Sequence, residues 1–395
     1  MLGSIKVLIA EDSKTSADML NNILSSHYKI DVVGIVNNGI DAYRTIISAK
    51  PDFIVMEIDL PLMGGIELLK LIKKENIEIN ILVMTSFSKN KDLSSRALDL
   101  GALDVIYKPK VISADFFVEA VLNRIVEISL SKIKNLEMDF ELNYNNLESN
   151  NNIETPNNSK EIIYASKDSY LAKFDDNVRI FPSDQKEIAK AISKVAKLGF
   201  EHPRLVAIGI STGGPRALRI MLPSIPKNFP LPILISQHIP KDFSSSLISS
   251  LQDISEIKIK EAVSDEEIMP SVVYISPGDK NMGVYSDSSG RVKIKLYTDY
   301  ENKFIYTPSV DYLFETINDV LVNKAIAIVM TGMGNDGTEG MKLLYNNKNL
   351  TIAQNKETCT VYGMPRSVIE NHAVHLVLSL YDMAEFLVQY VRSVE

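Results

Sequence analysis

Short apolar runs alternate with longer amphipathic stretches along most of this chain, and that alternation restricts its fold more than any other feature. Over residues 5–130, KVLIA, VVGIV, DFIVMEI, NILVMTS and DVIYKP read as strands. Stretches such as SADMLNNILSSH, DAYRTIISAK and KDLSSRALDLGA between them read as helices. Strands spaced by helices predict βαβ units and a parallel sheet. Five strands with five helices complete a small α/β domain over residues 1–130.

The rhythm then breaks. Residues 131–184 include NLEMDFELNYNNLESNNNIETPNNSK, rich in asparagine and poor in apolar periodicity, which cannot offset its own ordering entropy. A flexible linker over 131–201 is expected, with a short helix near its end, where QKEIAKAISKVAKLGF sets Ile188, Ile192 and Val195 on one face. From Leu205 the alternation resumes through RLVAIGI, PILISQ, SVVYISP, AIAIVMT and NLTIAQ. VKIKLYT follows the turn SDSSG as half of a hairpin, so residues 202–395 are expected to form a second, larger α/β domain.

Composition excludes several functions. A net charge of −8 argues against a nucleic-acid partner, which wants a basic face. One cysteine, Cys359, excludes an internal disulfide and a cysteine-rich zinc site. No run approaches the roughly 20 apolar residues of a membrane span, and the N-terminus lacks a signal-peptide core, so a cytoplasmic location without membrane insertion is expected.

Ligands of open parallel sheets gather at the carboxyl ends of the strands. In the first domain that edge collects Glu11 and Asp12, Glu57, Thr85 and Lys108. The carboxylates of Glu11, Asp12 and Glu57 suit a hard cation such as Mg²⁺, and the hydroxyl and ammonium beside them suit a phosphoryl group. The constellation resembles the response-regulator receiver domain over about residues 4–130, with AEDS, MTS and YKP as the matching motifs. That resemblance implies a flavodoxin-like fold and a frequently cis proline at Pro109. In one respect the chain departs from it: Met56-Glu57-Ile58-Asp59-Leu60-Pro61 carries glutamate where the family has its phosphorylated aspartate. One extra methylene displaces the carboxylate by about 1.5 Å, and misplacement on this scale costs on the order of a hundredfold in rate. Control of Glu57 by a chemotaxis histidine kinase is therefore expected to be weak or absent. Two arrangements are open: Glu57 reaching Lys108 and Thr85 in imitation of the phosphorylated state, or Glu57 pairing with Lys108 alone. The first is the expectation, with Asp59 a poor substitute acceptor beyond the strand end.

In the second domain Gly209-Ile210-Ser211-Thr212-Gly213 lies between a strand and a helix. This G-x-S-x-G spacing allows a sharp turn that presents a serine hydroxyl, although a phosphate-cradling loop would look similar. Of the five histidines, His238 ends PILISQ on the same sheet edge as Ser211 and is a candidate base. Asp336, in TGMGNDG after AIAIV, lies at that edge too and could orient the imidazole. A lipase-like order would use His372 or His375 instead, but they fall at a helix end and in the strand-like AVHLVLSL. GMGNDG also fits a dinucleotide fingerprint, yet the strand LTIA ends in Gln354 rather than the acid that fingerprint requires.

GISTGG, SQHIP, YISPGD, TPSVDYLF, TGMGNDG, TIAQ and VYGMPRS resemble, in order and spacing, the catalytic domain of the chemotaxis protein-glutamate methylesterase (CheB) family over nearly all of residues 203–392. The resemblance implies a doubly wound, mainly parallel α/β hydrolase domain with the triad Ser211, His238 and Asp336, assisted by Thr212 and the backbone amide of Met333. It also implies hydrolysis of glutamate methyl esters on methyl-accepting chemoreceptors, glutamine deamidation in many relatives, and no cofactor for catalysis. Pro215-Arg216 and Asn281 depart from the family's usual residues and are expected to tune substrate contacts without touching the triad. An adaptor with little esterase activity is the alternative, which the intact triad residues disfavour. A DNA-binding response regulator fails on charge and on the size of the second domain.

Overall fold

The structure, a computed structural model, describes residues 4–86, 91–108, part of 121–129, 163–164, 185–239, 241–299 and 304–394. Among them the chain divides into two compact units. The first runs β1 (Ile5–Ala10), α1 (Lys14–Ser26), β2 (Ile30–Val36), α2 (Gly39–Ala49), β3 (Phe53–Glu57), α3 (Gly65–Lys74), β4 (Asn80–Ser86), α4 (Lys91–Asp99) and β5 (Asp104–Lys108). Its five strands lie parallel in the order β2-β1-β3-β4-β5, the flavodoxin-like arrangement expected. β3 reads FIVME and is buried along its whole length, because helices cover both faces of such a sheet. Pro109 lies outside the described residues.

The second unit is built on β6 (Ile163–Tyr164), α5 (Gln185–Ala196), β7 (Leu205–Ile210), α6 (Gly214–Met221), β8 (Ile233–Gln237), α7 (Lys241–Gln252), β9 (Lys258–Glu261) and β10 (Val272–Ile275). It continues with the antiparallel hairpin β11 (Asn281–Ser286) and β12 (Val292–Tyr297), then α8 (Val310–Val320), β13 (Ala325–Val329), α9 (Thr338–Asn346), β14 (Leu350–Gln354), α10 (Met364–Glu370), β15 (Leu376–Leu378) and α11 (Leu380–Val394). Eight strands form one sheet, β6-β15-β14-β13-β7-β8-β10-β9, and every neighbouring pair is parallel. From β7 the chain winds through β8 to one edge, then returns to β13 on the other side of β7. The switch point therefore lies between β7 and β13, where open α/β sheets place their sites.

Alternation along β7 feeds two cores. Val206, Ile208 and Ile210 point into one, Leu205 and Ala207 into the other. The expected helix at the end of the linker is α5. Its Ile188 and Val195 are buried in the first core and Ile192 is packed against it.

Two elements escaped the sequence pattern. Ile163–Tyr164 pairs with β15, so part of the stretch read as linker belongs to the second sheet. Two residues carry no periodicity, and their pairing partner is remote in sequence. β9 reads KIKE, with Lys258 exposed, the charged composition by which an edge strand resists further pairing. The Asn-rich residues 135–160 lie outside the described residues.

Candidate active site

The nucleophile turn follows from local sequence. β7 ends at Ile210, and α6 begins at Gly214 with Pro215 in its first turn, where a missing N–H does no harm. Between them Gly213 takes φ +78°, and a Cβ there would lie 2.4 Å from Thr360. Ser211 donates its amide to the Thr331 carbonyl (2.9 Å), tying the turn to the end of β13. Gln237 closes the other side: its Nε2 donates to the carbonyls of Ser211 and His238, each at 3.0 Å.

The three residues expected from the sequence meet. His238 Nδ1 lies 3.0 Å from Ser211 Oγ, and His238 Nε2 lies 2.7 Å from Asp336 Oδ2. The carboxylate accepts the Nε2 proton, which leaves the Nδ1 lone pair facing the serine hydroxyl. Ser211 is 6% exposed and Asp336 7%, so the relay is shielded but reachable.

Asp336 does more than hold the imidazole. Its Oδ2 also accepts the Val310 amide (2.8 Å), and its Oδ1 accepts the Asp311 amide (3.0 Å) and the Ser309 hydroxyl (3.2 Å). The carboxylate thus sits on the N-terminus of α8, where amides and the helix dipole favour negative charge. Burial pushes its pKa up, but the hydrogen bond and charge of His238, with those amides, hold it below the ordinary aspartate value. Asp311 behaves oppositely. Burial first, and the neighbouring Asp336 charge, raise it to about 6 against the bond it accepts from the Gly340 amide.

Gly332, one residue before Met333, packs against the nucleophile. A Cβ on Gly332 would lie 2.7 Å from Ser211 Cβ, so the loop passes directly over the serine. Gly332 donates to the Val361 carbonyl, and its own carbonyl accepts the amides of Gly363 (3.0 Å) and Met364 (2.8 Å). Met333, the next residue, is exposed, whereas Thr212 is buried with its carbonyl bonded to Thr331 Oγ1.

The rival histidines are elsewhere. His372 takes φ +53° just after α10. His375 Nδ1 lies 2.8 Å from Thr351 Oγ1 near the amino end of β14, and its ring stacks on Tyr345 at 4.2 Å. One expectation needs correcting. Asn281 is fully buried and its Oδ1 accepts the Ser309 amide (2.7 Å), one step behind Asp336. It braces the triad instead of meeting substrate. Ser309, Asn281 and Gln237 were not singled out by sequence reasoning for these roles; the only signal was a serine three residues before Tyr312, whose amide it caps at 3.2 Å.

In the first unit Lys108 Nζ lies 2.5 Å from both Glu11 Oε2 and Glu57 Oε2. Glu11 Oε1 accepts the Ser13 amide (3.1 Å) and Glu57 Oε1 the Ile58 amide (3.0 Å). Burial raises the Glu11 carboxyl in spite of Lys108. The ammonium is raised too, because Glu57 and Glu11 outweigh its own desolvation. Two corrections follow. Glu57 does not reach Thr85, whose buried Oγ1 has no hydrogen-bond partner among the described residues; its carboxylate is spent on Lys108 and backbone amides. Glu11, Asp12 and Glu57, expected to suit Mg²⁺, are not gathered into one carboxylate cluster among the described residues. Asp12 is exposed, and an ammonium already lies between the two glutamates.

Known proteins resemble this chain over both units. The CheB methylesterase family model matches residues 206–387 and the response regulator receiver domain model residues 7–117. A protein-glutamate methylesterase/protein-glutamine glutaminase of Desulfotalea psychrophila is 33% identical over 391 residues, covering 98% of this chain and 99% of the relative. One of the same description from Thermotoga maritima is 33% identical, covering 98% of each. The crystal structure of the Thermotoga maritima CheB methylesterase catalytic domain is 41% identical, covers 47% of this chain and 98% of that one, and superposes with a TM-score of 0.45. With a receiver fold, a relayed serine and relatives alike from end to end, this chain belongs to the protein-glutamate methylesterase/protein-glutamine glutaminase (CheB) family.

Proposed function

We propose that the second unit hydrolyses glutamate methyl esters on the cytoplasmic helices of chemoreceptors, releasing methanol. The observation that carries this reading is the relay Asp336–His238–Ser211, at 2.7 and 3.0 Å. His238 Nδ1 takes the Ser211 proton as Oγ attacks the ester carbonyl, and Asp336 stabilises the resulting imidazolium. The amides of Thr212 and Met333 hold the oxyanion. The imidazolium then protonates the departing methoxide. Water, deprotonated by the same nitrogen, cleaves the acyl-enzyme to glutamate and free serine. An amide side chain enters by the same route with ammonia as leaving group, which makes glutamine deamidation the companion activity. Every step uses side chains and amides already present, so catalysis calls for no cofactor.

The enzyme is read as cytoplasmic, since its substrates face that compartment; no helix among the described residues is long and apolar enough to cross a membrane. The first unit is read as a receiver fold without a working phosphoacceptor, because Glu57 is bound up with Lys108. The deciding experiment is methanol release from methylated receptor membranes. Wild type should release it, and Ser211→Ala, with its fold intact by circular dichroism, should not. A variant keeping a tenth of wild-type turnover would end the serine mechanism.

A further inference from the structure

The two hydrogen bonds of His238 leave the faces of its ring open. They meet the ring edge at Nδ1 and Nε2, and a small rotation of the imidazole about Cβ–Cγ is resisted by them only weakly. Tyr306 covers one face. Its ring lies against the imidazole at 4.7 Å between centroids with only 12° between planes. That separation is within the range of aromatic stacking and of a cation over a ring face.

The placement runs against simple hydrophobic sorting. Ile305, the more apolar neighbour, is 91% exposed, while Tyr306 is turned inward and half-buried. Room for the phenol is made by Gly334, where a Cβ would lie 3.0 Å from Tyr306 Oη and where φ is +79°. The same short segment serves the other end of the relay, since Ser309 and the amides of Val310 and Asp311 hold Asp336. One stretch of chain thus grips both the base and its carboxylate.

We propose that Tyr306 is a positioning residue for His238, fixing the rotation of the imidazole and stabilising the imidazolium through its ring face. The proposal rests on the esterase reading for its kinetic consequence and on the stack alone for its structural one. When Ser211 Oγ gives its proton to Nδ1, positive charge appears on a ring whose side chain is only 11% exposed. The π face of Tyr306 and the carboxylate of Asp336 are then the groups facing that charge, with Asp311 behind Asp336.

The test compares Tyr306→Leu, which keeps apolar volume, with Tyr306→Phe, which keeps the ring. In methanol release from methylated receptor membranes, Tyr306→Leu should lower kcat about tenfold with KM within about twofold. Tyr306→Phe should stay within about twofold of wild type in both. In ¹³C-labelled histidine spectra, the His238 ring resonance should move in Tyr306→Leu and not in Tyr306→Phe, while the His375 resonance stays in place as a control of folding. An unchanged kcat in Tyr306→Leu would overturn the proposal. An equal loss in both variants would also overturn it, by making the hydroxyl the important group. Should wild type itself release no methanol, the esterase reading falls, and the His238 resonance alone decides whether the stack holds the ring.

Discussion

Both units gather buried charge at the carboxyl ends of a parallel sheet, yet only one gathering is arranged to do work. In the second unit a carboxylate binds one nitrogen of an imidazole, and the other nitrogen faces a hydroxyl at 3.0 Å. In the first unit two carboxylates converge on one ammonium, at 2.5 Å each, and their remaining oxygens accept backbone amides. Histidine has two faces to its chemistry, taking a proton on one side while being steadied on the other. Lysine has only donors, and with two of its three engaged by acids the cluster has no group left to take a proton and is closed to acid–base work. A strand edge delivers polar groups together; the valence of the central partner decides whether anything is left over for a substrate.

That contrast can be broken at several points. The largest effect belongs to the open relay. His238→Ala should reduce methanol release by at least on the order of 10⁴-fold, because the serine then lacks its base. His375→Ala should leave turnover nearly intact, since that ring serves Thr351 and Tyr345. The reverse outcome would mean that the wrong histidine has been placed at the site. The closed cluster should instead register in stability. Lys108→Met strands two buried glutamates, a change that typically costs about 3–5 kcal/mol. Calorimetry should therefore show unfolding of the first unit at lower temperature, with methanol release by the second retained. No shift would show the three groups to be solvated and unlinked.

A subtler change reopens the closed cluster. Glu57→Asp withdraws the carboxylate by one methylene, about 1.5 Å, which matters on the order of a hundredfold for in-line attack. With a small phosphodonor and Mg²⁺, the variant should acquire acid-stable, base-labile phosphate and wild type should not. Labelling of wild type, lost in Asp59→Asn, would assign the acceptor role to Asp59 instead.

The smallest effect concerns Asp311, which titrates at about 6 in the folded protein against an ordinary aspartate value of 3.8. The folded state therefore binds its proton more tightly than the unfolded state does. Its ionisation weakens folding progressively as pH rises from about 4 to about 6, and the whole cost is present above that window. Asp311→Asn keeps an oxygen for the Gly340 amide and removes the charge. Its melting temperature should exceed that of wild type by a few degrees above pH 7 and match it below pH 4. A variant less stable than wild type above pH 7 would show that the charge is favourable where it lies.

Much of the molecule was legible because parallel sheets impose a simple code. Their strands are buried on both faces and read as continuous apolar runs, and their loops place chemistry at one edge. Ser211, His238 and Asp336 each directly follow such a run or lie just beyond it, so their convergence could be read without coordinates. The braces could not. Asn281 stands at the start of a hairpin strand and Gln237 at the end of β8, and nothing in either position says that they hold Ser309 and the serine turn. β6 escaped for a related reason: its pairing with β15 is a long-range contact with no local pattern.

By itself the sequence determined the two α/β units and the polar endings of their strands, because periodicity and strand ends are local properties of the chain; the choice of Ser211, His238 and Asp336 as a triad came from resemblance to a family. Only the tertiary structure decided how each gathering is used. It turned Glu57 to Lys108 and away from Thr85, laid Tyr306 flat on His238, and set Asp336 on the amides of α8. Those outcomes depend on distances of a few ångströms between residues far apart in the chain, and burial makes each such contact decisive, since a charge removed from water must find its partner in the fold.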